Sequence, residues 1–305
     1  MNDSPAFSVV VAAYNSAATI GEAIESVRRQ TRSDWELIVV DDGSRDATVA
    51  LAESFADPRL RIVRQPENRG PGAARNRGIS LAQAPLVCTL DSDDLWLPTY
   101  LETMARALEA NPQAAVACTD AWVLDEATGR VRETSVVTPQ HPPHPLPDDP
   151  PTLLRELLRR NFIYNSITAH REPLLAVGGY DERLRVGEDW ELWLRLGAAG
   201  FRFIHVPELL AVYRARADSL TANTRSLLAA SRDVYRIVAE DWTAHDELRA
   251  FALKLRRRNE LHVLAAPVLG PLLTLRERLR KSALWRDEPP RDVADLLAVV
   301  ATPQQ

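Results

Sequence analysis

Residues 7–13 read FSVVVAA, a continuous apolar run in a chain of 305 residues. An uninterrupted run of this kind is typical of a strand buried on both faces of a sheet. Ala17, Ile20, Ile24 and Val27 follow at spacings of three and four residues, which places them on one face of a helix. The stretch therefore predicts a strand followed by an amphipathic helix, the repeating unit of a parallel sheet.

The same alternation continues through about the first 120 residues. Four further apolar runs predict strands, and the stretches between them predict helices. The predicted strands are Trp35–Val40, Leu60–Val63, Leu86–Leu90 and Ala114–Cys118; the predicted helices cover Ser44–Phe55, Gly72–Leu81 and a stretch marked by Leu97, Leu101, Met104 and Leu108. We therefore predict an α/β fold with a mostly parallel central sheet.

A proline-rich stretch interrupts this pattern. Pro139–Pro151 contains seven prolines in 13 positions, too many for a helix or a central strand. We therefore expect residues 138–151 to form a mobile surface loop, either a lid over a site or a tolerated insertion.

Beyond this loop the sequence predicts mainly helices. Helices are expected at Thr152–Arg160 and Trp190–Ala199, and the chain reads as all helical from Thr224 onward. The predicted organisation is one domain of residues 1–222 followed by a helical C-terminal extension of residues 223–305.

Composition excludes several classes of protein. The 37 Lys and Arg residues and 42 Asp and Glu residues give a net charge of −5, so no basic field favours nucleic acid. Cys88 and Cys118 are too few for a disulfide framework or a thiolate zinc site, and we expect both to be buried. The sequence has no apolar run of about 18 residues and no secretion signal, so a cytoplasmic location is expected.

Polar and acidic residues follow four of the predicted strands. They are Tyr14–Asn15, Asp41–Ser44, Asn68–Gly70 and Asp91–Asp94. In an open α/β sheet, ligands bind in the crevice at the carboxyl ends of the strands. Each element alone is also a common turn or helix cap, but four of them at one sheet edge predict a binding site.

The acidic cluster after the fourth strand predicts a divalent cation. Asp91, Asp93 and Asp94 repel one another unless a cation or a donor compensates. Oxygen ligands without Cys or His favour Mg²⁺ or Mn²⁺, an ion suited to neutralising a departing diphosphate.

Two further motifs limit the alternatives. Gly70–Arg75 (GPGAAR) has Arg75 where a dinucleotide fingerprint has its third glycine, which argues against an NAD fold and places an arginine near a base or phosphate. Gly187–Trp190 (GEDW) opens a predicted helix, and its carboxylates are either a helix cap or a general base. A P-loop is absent from the sequence.

Taken together, the motifs resemble glycosyltransferase family 2, whose members use nucleotide sugars. The matching segments are VVAAYN (Val10–Asn15), VVDDGSRD (Val39–Asp46), ENRGPGAARNRGI (Glu67–Ile79), LDSDDLWLP (Leu90–Pro98), VGGYDERL (Val177–Leu184), GEDWELWLRL (Gly187–Leu196) and YRARADSLT (Tyr213–Thr221). They cover about residues 5–222. The resemblance implies the GT-A fold, a Rossmann-like three-layer sandwich.

The resemblance also implies roles for individual residues. It implies nucleotide binding by Ala12, Tyr14, Asn15, Asp42, Arg75, Asp91 and Ser92. It implies Asp93 as the metal ligand and Asp189 as the catalytic base. It implies substrate or diphosphate contacts by Glu188, Trp190, Arg214 and Arg216, the last standing where family members often have a histidine.

The implied activity is inverting transfer of a single sugar from a nucleotide-diphosphate sugar, with UDP as the expected nucleotide and Mn²⁺ or Mg²⁺ as the cofactor. The expected acceptor is a hydroxyl group of a saccharide, a lipid-linked molecule or a small molecule, as in polysaccharide biosynthesis. The processive Gln-x-x-Arg-Trp signature is absent, since Glu191–Arg195 reads ELWLR. The alternatives are an inactive relative that binds nucleotide sugars, a sugar nucleotidyltransferase and a glycoside hydrolase.

The C-terminal region leaves its own alternatives open. Val263–Leu273 is apolar, and four basic residues follow it at positions 276, 278, 280 and 281. This segment either lies on an anionic membrane, at the inner face, or packs on its own domain. A homodimer through the C-terminal helices is a further expectation.

Overall fold

One mixed sheet forms the middle layer of the computed structural model, which describes residues 4–134, 146–147, 149–163, 165–216, 224–261 and 289–300. Within these ranges the sheet has nine strands. In chain order they are β1 (Phe7–Ala13), β2 (Trp35–Asp41), β3 (Leu60–Arg64), β4 (Leu86–Asp91), β5 (Leu95–Trp96), β6 (Ala114–Asp125), β7 (Val131–Thr134), β8 (Ile167–His170) and β9 (Arg202–Ala215). Their spatial order is β3-β2-β1-β4-β8-β6-β9-β5, and β7 pairs with β6.

Most of the strands run in one direction. β1 pairs in parallel with β2 and with β4, and β3 continues this part of the sheet beyond β2. The short strand β8 joins β4 to β6 by pairing antiparallel with both, and β6 pairs in parallel with β9. The predicted α/β fold with a mostly parallel central sheet is therefore confirmed.

Helices cover both faces of this sheet. They are α1 (Ile20–Arg28), α2 (Thr48–Glu53), α3 (Pro71–Leu81), α4 (Tyr100–Ala110), α5 (Pro150–Arg159), α6 (Arg171–Ala176), α7 (Glu188–Ala198), α8 (Thr224–Asp241), α9 (residues 246–261) and α10 (Arg291–Val300). Val9 of β1 shares one core with Ile24 of α1 and Met104 of α4. Its neighbour Val10 points the other way and shares a second core with Trp193 of α7. The result is the three-layer sandwich that the resemblance implied.

The sequence pattern missed four strands, β5, β7, β8 and β9. β5 and β8 span only two and four residues, and charged residues such as Arg202 and Glu208 interrupt the apolar pattern of β9. β6 continues well beyond the predicted end at Cys118. The predicted helix Ser44–Phe55 is shorter, because Asp46 accepts hydrogen bonds from the backbone N–H of Ala17 at 3.1 Å and of Thr48 at 3.0 Å and holds the preceding residues in a loop.

Two predicted segments lie largely or wholly outside the described residues: the loop 138–151 and the apolar segment Val263–Leu273. Pro150 and Pro151 correct the loop prediction, because they open α5, and the Asp149 side chain caps this helix by accepting from Thr152 N–H at 2.9 Å. Proline fits the first helical turn, where no N–H is needed.

In the described ranges, every helix is too short or too polar to span a bilayer.

The C-terminal helices pack against the sheet and its covering helices at two places. Val234 and Trp242, on and just after α8, share a core with α5 and α7. α10 contributes Val293 and Leu296 to a separate core with residues of β5, β6 and β9. The helices after residue 223 therefore cover apolar surface of the preceding residues.

Both cysteines are buried free thiols, as expected. Burial raises the pKa of Cys88 and of Cys118 to about 12. Neither thiol is therefore a nucleophile at neutral pH.

Helix α3 lies directly against β1 because Gly78 has no side chain. A Cβ atom at this position would lie 2.3 Å from Cγ1 and 3.0 Å from Cγ2 of Val10. These distances are far below van der Waals contact, so a larger residue must push the helix away from the strand. The spacing matters because α3 also carries Arg75.

We expect Gly78→Ala to lower the free energy of unfolding by about 1–3 kcal/mol, because the added methyl group overpacks the contact with Val10. Gly21→Ala in α1 is the matched control: its Cβ would lie 3.7 Å from the Phe55 ring, an ordinary contact. Since alanine favours a helix over glycine, the control should keep or raise stability by up to about 1 kcal/mol. Urea denaturation of both variants measures the difference, and equal stabilities would contradict the packing argument.

Candidate active site

The carboxyl ends of β1, β2 and β4 meet at one edge of the sheet. The register pairs Ala12 with Asp91 and Ala13 with Asp41. The loops that follow these strands begin there, with Tyr14, Asp42 and Ser92 as their first residues. Residues separated by up to about 80 positions are thus brought side by side, as the order of strands and loops predicted.

Asp42 holds the loop after β3 in place. Its carboxylate is buried and accepts hydrogen bonds from Gln65 Nε2 at 2.7 Å and from the backbone N–H groups of Arg69 and Gly70, each at 2.8 Å. Gly70 has a φ of 97°, and Arg185 fills the space that a Cβ atom would need. Three protein donors therefore fix the orientation of the Asp42 carboxylate, which is a predicted nucleotide contact.

The loop after β1 is tied to its neighbours through Asn15 and Ser16. Asn15 has a φ of 49°, its N–H donates to Ser44 Oγ at 2.9 Å, and its Oδ1 accepts from Arg45 N–H at 2.9 Å. Ser16 Oγ lies 2.7 Å from Oγ of the buried Ser92. Tyr14 is 45% exposed. Among these predicted residues, Asn15 and Ser92 hold the loops together, and Tyr14 presents its ring to solvent.

Arg75 connects the two acidic clusters. Its guanidinium is buried and donates through Nη2 to Asp91 Oδ1 at 2.6 Å and through Nη1 to Glu188 Oε1 at 2.7 Å. Burial alone would lower the pKa of Arg75, but the charges of Asp91 and Glu188 hold it well above its ordinary value. The sequence placed Arg75 near a base or phosphate, whereas the structure places it between two carboxylates.

Asp189 lies in the first turn of α7, next to Glu188. Gly187, with a φ of 83°, occupies the N-cap position, and Glu188 and Asp189 are acidic residues of the first turn, where they complement the helix dipole. The Asp189 carboxylate is partly exposed; Oδ1 accepts from Trp190 N–H at 2.6 Å and Oδ2 from Asn161 Nδ2 at 3.3 Å.

Burial, followed by the adjacent charge of Glu188, raises the pKa of Asp189 to about 7. The Trp190 N–H group and the Arg75 charge act in the opposite direction but do not cancel this effect. A carboxyl group with a pKa near neutrality accepts a proton much better than an ordinary one. Asp189 therefore binds a proton more tightly than an ordinary aspartate.

The three carboxylates of the DSDD motif have different environments. Asp94 is buried and accepts from the backbone N–H of Arg214 at 2.9 Å, which makes it a structural group. Burial, followed by the charge of Asp91, raises the pKa of Asp93 to about 6. A cation beside Asp93 would relieve both effects.

Among the described residues, no group of three or more His, Cys, Asp or Glu side chains is placed to bind a metal ion. If Asp93 holds a metal ion, most of the ion's ligands would therefore come from outside these residues. Mg²⁺ is commonly held in this way, through one or two carboxylates and substrate phosphates.

Arg214 and Arg216 lie near Asp93, since their charges lower its pKa. Both are also paired with carboxylates. Arg214 is buried and forms an ion pair with Glu22 of α1, and Arg216 Nε lies 3.5 Å from Glu126 Oε2. The two predicted diphosphate contacts are therefore held in place by ion pairs with Glu22 and Glu126, which also balance their charge.

Trp190 is a correction to the predicted set. Its indole is buried, its Nε1 donates to the carbonyl oxygen of Leu157 at 2.6 Å, and its ring packs edge-on against Tyr235. The structure places this side chain in the core between α5, α7 and α8. Its position in the sequence motif reflects packing of α7 and not a substrate contact.

Sequence reasoning did not single out several residues that complete the site. Glu22, Glu126, Asn161, Asn165 and Tyr180 each contact a predicted site residue. Tyr180 lies within the VGGYDERL motif, which was a usable signal. The others lie outside any motif, and their contacts arise only from the folded chain.

The three layers and the mostly parallel sheet match the fold of GT-A glycosyltransferase structures. The family model described as "Glycosyl transferase family 2" matches residues 8–167. The chain belongs to glycosyltransferase family 2.

Relatives and structures agree with this assignment. The chain is 36% identical over 258 residues to "Succinoglycan biosynthesis protein ExoO" of Rhizobium meliloti, covering 81% of this chain and 74% of that protein. Its fold is similar to S. aureus TarS 1–349 in complex with UDP-GlcNAc, with a TM-score of 0.62, 20% identity and coverage of 81% and 71% of the two chains. It is also similar to the mannosyltransferase PcManGT from Pyrobaculum calidifontis in complex with GDP-Man and Mn²⁺, with a TM-score of 0.58, 20% identity and coverage of 90% and 80%.

The raised pKa of Asp189 predicts a pH-dependent stability. Its folded pKa of about 7 lies above the ordinary 3.8, so the stability present below about pH 3.8 is lost as the pH rises through 7. Asp189→Asn removes this ionisation and should raise the Tm at about pH 8, with little effect near pH 4. Calorimetry of both chains across this pH range measures the difference.

The control is Asp233→Asn, which removes a 38% exposed carboxylate on α8 and should give no comparable trend with pH. A Tm difference that stays constant with pH for Asp189→Asn would show that the folded pKa is ordinary.

Proposed function

We propose that this chain is an inverting glycosyltransferase that moves one sugar from a nucleotide-diphosphate sugar to a hydroxyl group of an acceptor. The observation that carries the proposal is the ion-paired series Asp91–Arg75–Glu188, which joins the strand edge to the helix that bears Asp189. It fixes a proton acceptor at a set position relative to the predicted donor site. Membership of glycosyltransferase family 2 supports the same class of reaction.

Asp189 is the proposed general base. A carboxyl group with a pKa of about 7 is substantially ionised at neutral pH and can take the proton of the acceptor hydroxyl. The hydroxyl oxygen forms a bond to the anomeric carbon on the face opposite the diphosphate. The bond from that carbon to the diphosphate oxygen breaks, the electron pair leaves with the diphosphate, and the configuration inverts.

Asp42, Tyr14 and Asp91 are the proposed donor-binding side chains. Asp42 is held by three protein donors, and its remaining acceptor capacity suits a base N–H. Tyr14 offers an exposed ring for packing. Asp91 would accept from the ribose or sugar, with Ala12, Asn15 and Ser92 shaping the pocket floor. Arg75 acts through the two carboxylates that it orients.

UDP is the proposed nucleotide and GDP the main alternative. The similar fold of TarS bound to UDP-GlcNAc supports UDP, and that of PcManGT bound to GDP-Man supports GDP. The similarity to a succinoglycan biosynthesis protein supports a saccharide acceptor in polysaccharide biosynthesis.

Asp93 is the residue proposed to hold Mn²⁺ or Mg²⁺. When bound, the ion would neutralise the charge that develops on the departing diphosphate. Arg214 and Arg216 add fixed positive charge beside Asp93 and complement the same group. The PcManGT complex with Mn²⁺ supports the choice of metal.

We further propose residues 1–222 as the catalytic domain and residues 223–305 as its helical extension. The core that α8 shares with α7 supports a role for the extension in holding the helix of Asp189. A homodimer through the C-terminal helices, contact with a membrane surface and a cytoplasmic location stay predictions from the sequence.

Asp189→Asn should retain nucleotide binding but reduce sugar transfer by about 10²–10⁴-fold, because the amide cannot accept the hydroxyl proton. Release of nucleoside diphosphate from the donor sugar, with water or an added saccharide as acceptor, measures the transfer. Asp233→Asn is the matched control and should turn over at the wild-type rate. Unchanged turnover of Asp189→Asn would remove Asp189 as the base.

A thermal-shift panel tests donor and metal together. UDP, dTDP, GDP and CMP are each added with Mn²⁺, Mg²⁺ or EDTA; a ligand at 100 times its Kd stabilises the fold by about 2.7 kcal/mol. We expect a shift with UDP that EDTA removes, because Asp93 would hold an ion that offsets the negative charge of the diphosphate. In Asp93→Ala the shift should no longer respond to metal. A full response to Mn²⁺ in this variant would place the metal elsewhere.

A further inference from the structure

Asp91 is oriented by more than its ion pair with Arg75. Asn165 Nδ2 donates to Asp91 Oδ1 at 2.9 Å, the same oxygen that Arg75 Nη2 contacts at 2.6 Å. Oδ2 of Asp91 accepts no hydrogen bond from any residue in the described ranges, and the side chain is 29% exposed. One oxygen of this carboxylate is therefore anchored inside the protein, while the other is available to a ligand.

The Asn165 amide has only one orientation that satisfies its surroundings. A carboxylate only accepts hydrogen bonds, so the NH₂ group must face Asp91. The amide oxygen then faces Tyr180, whose hydroxyl donates to it at 3.2 Å. Burial raises the pKa of Tyr180, so the phenol stays protonated and remains a donor. Tyr180 thus determines which end of the amide reaches Asp91.

The backbone of Asn165 is attached to the strand that carries Asp91. Its carbonyl oxygen accepts from Thr89 Oγ1 on β4 and from Ile167 N–H at 3.0 Å. The Tyr180 ring in turn lies 5.3 Å from the Arg75 guanidinium. Asn165 and Tyr180 are only 5% and 3% exposed, so neither is placed to touch a ligand directly.

We propose that Asn165 and Tyr180 are positioning residues for donor binding: they hold Oδ1 of Asp91 against Arg75 and thereby turn Oδ2 toward the bound nucleotide. The inference rests on the proposed role of Asp91 in the donor site. Neither residue reacts, and each acts through the next, from the Tyr180 hydroxyl to the Asn165 amide to the Asp91 carboxylate.

A double-mutant cycle separates positioning from simple structural support. The variants are Asn165→Leu, Asp91→Asn and the two combined, and the measurement is the Kd of UDP with Mn²⁺ by titration calorimetry. We expect Asn165→Leu to weaken UDP binding roughly ten-fold, because a hydrogen bond to a charged group is lost. In the Asp91→Asn background the same change should alter the Kd less than about two-fold.

Tyr180→Phe provides a second, milder variant in case Asn165→Leu does not fold. It removes one hydroxyl group and should weaken UDP binding about three-fold in the wild-type chain, with no further loss when Asn165 is already leucine. Tyr235→Phe is the matched control, a buried tyrosine on α8, and should leave the Kd unchanged.

The outcomes are distinguishable. If Asn165→Leu weakens UDP binding equally in both backgrounds, the residue supports the fold only, and the positioning role is overturned. If Asp91→Asn weakens UDP binding but Asn165→Leu and Tyr180→Phe do not, the positioning proposal is overturned while the proposed role of Asp91 stands. If Asp91→Asn leaves the Kd unchanged, or the wild-type chain binds none of the four nucleotides, the proposed function of the site fails, and this inference fails with it.

Discussion

A single buried guanidinium sets the geometry of the whole site. Arg75 is 5% exposed and must be paired, because an isolated charge inside a protein is strongly unfavourable. Its two partners, Asp91 and Glu188, come from the end of a strand and the start of a helix. Because both ion pairs must form at once, the sheet edge and α7 are held at one distance. Because Asp189 follows Glu188 on α7, this distance also determines where Asp189 lies relative to the sheet edge.

The same arrangement brings four carboxylates close together, where burial and mutual repulsion disfavour their charged forms. Asp91, Asp93, Glu188 and Asp189 share one small region, and burial with mutual repulsion raises the pKa of Asp93 and of Asp189. These raised pKa values mean that ionisation of Asp93 and Asp189 lowers the stability of the fold as the pH rises. The fold compensates elsewhere through two continuous apolar cores, one on each face of the sheet.

The sequence predicted the location of the site better than its internal contacts. Continuous apolar runs identified the strands before Asp42 and Asp91, so their meeting at one sheet edge followed from topology. The pairing of Arg75 with Glu188 spans 113 residues and has no local signal. Asp94 looked equivalent to Asp93 in the motif, yet it accepts from a backbone N–H of β9, a strand that the charge-interrupted pattern did not reveal. The contacts that the sequence did not predict join residues far apart in the chain, and local propensities carry no information about such partners.

The docking of α10 has a consequence for the newly made chain. Val293 and Leu296 cover apolar residues of β5, β6 and β9, and β5 precedes them by about 200 residues. Translation proceeds at roughly 5–20 residues per second, so β5 waits on the order of 10–40 s for this cover. Until then, only the surface that Val293 and Leu296 cover in the folded chain lacks its partner. Partial chains that end before α10 therefore expose apolar surface that the longer chain buries.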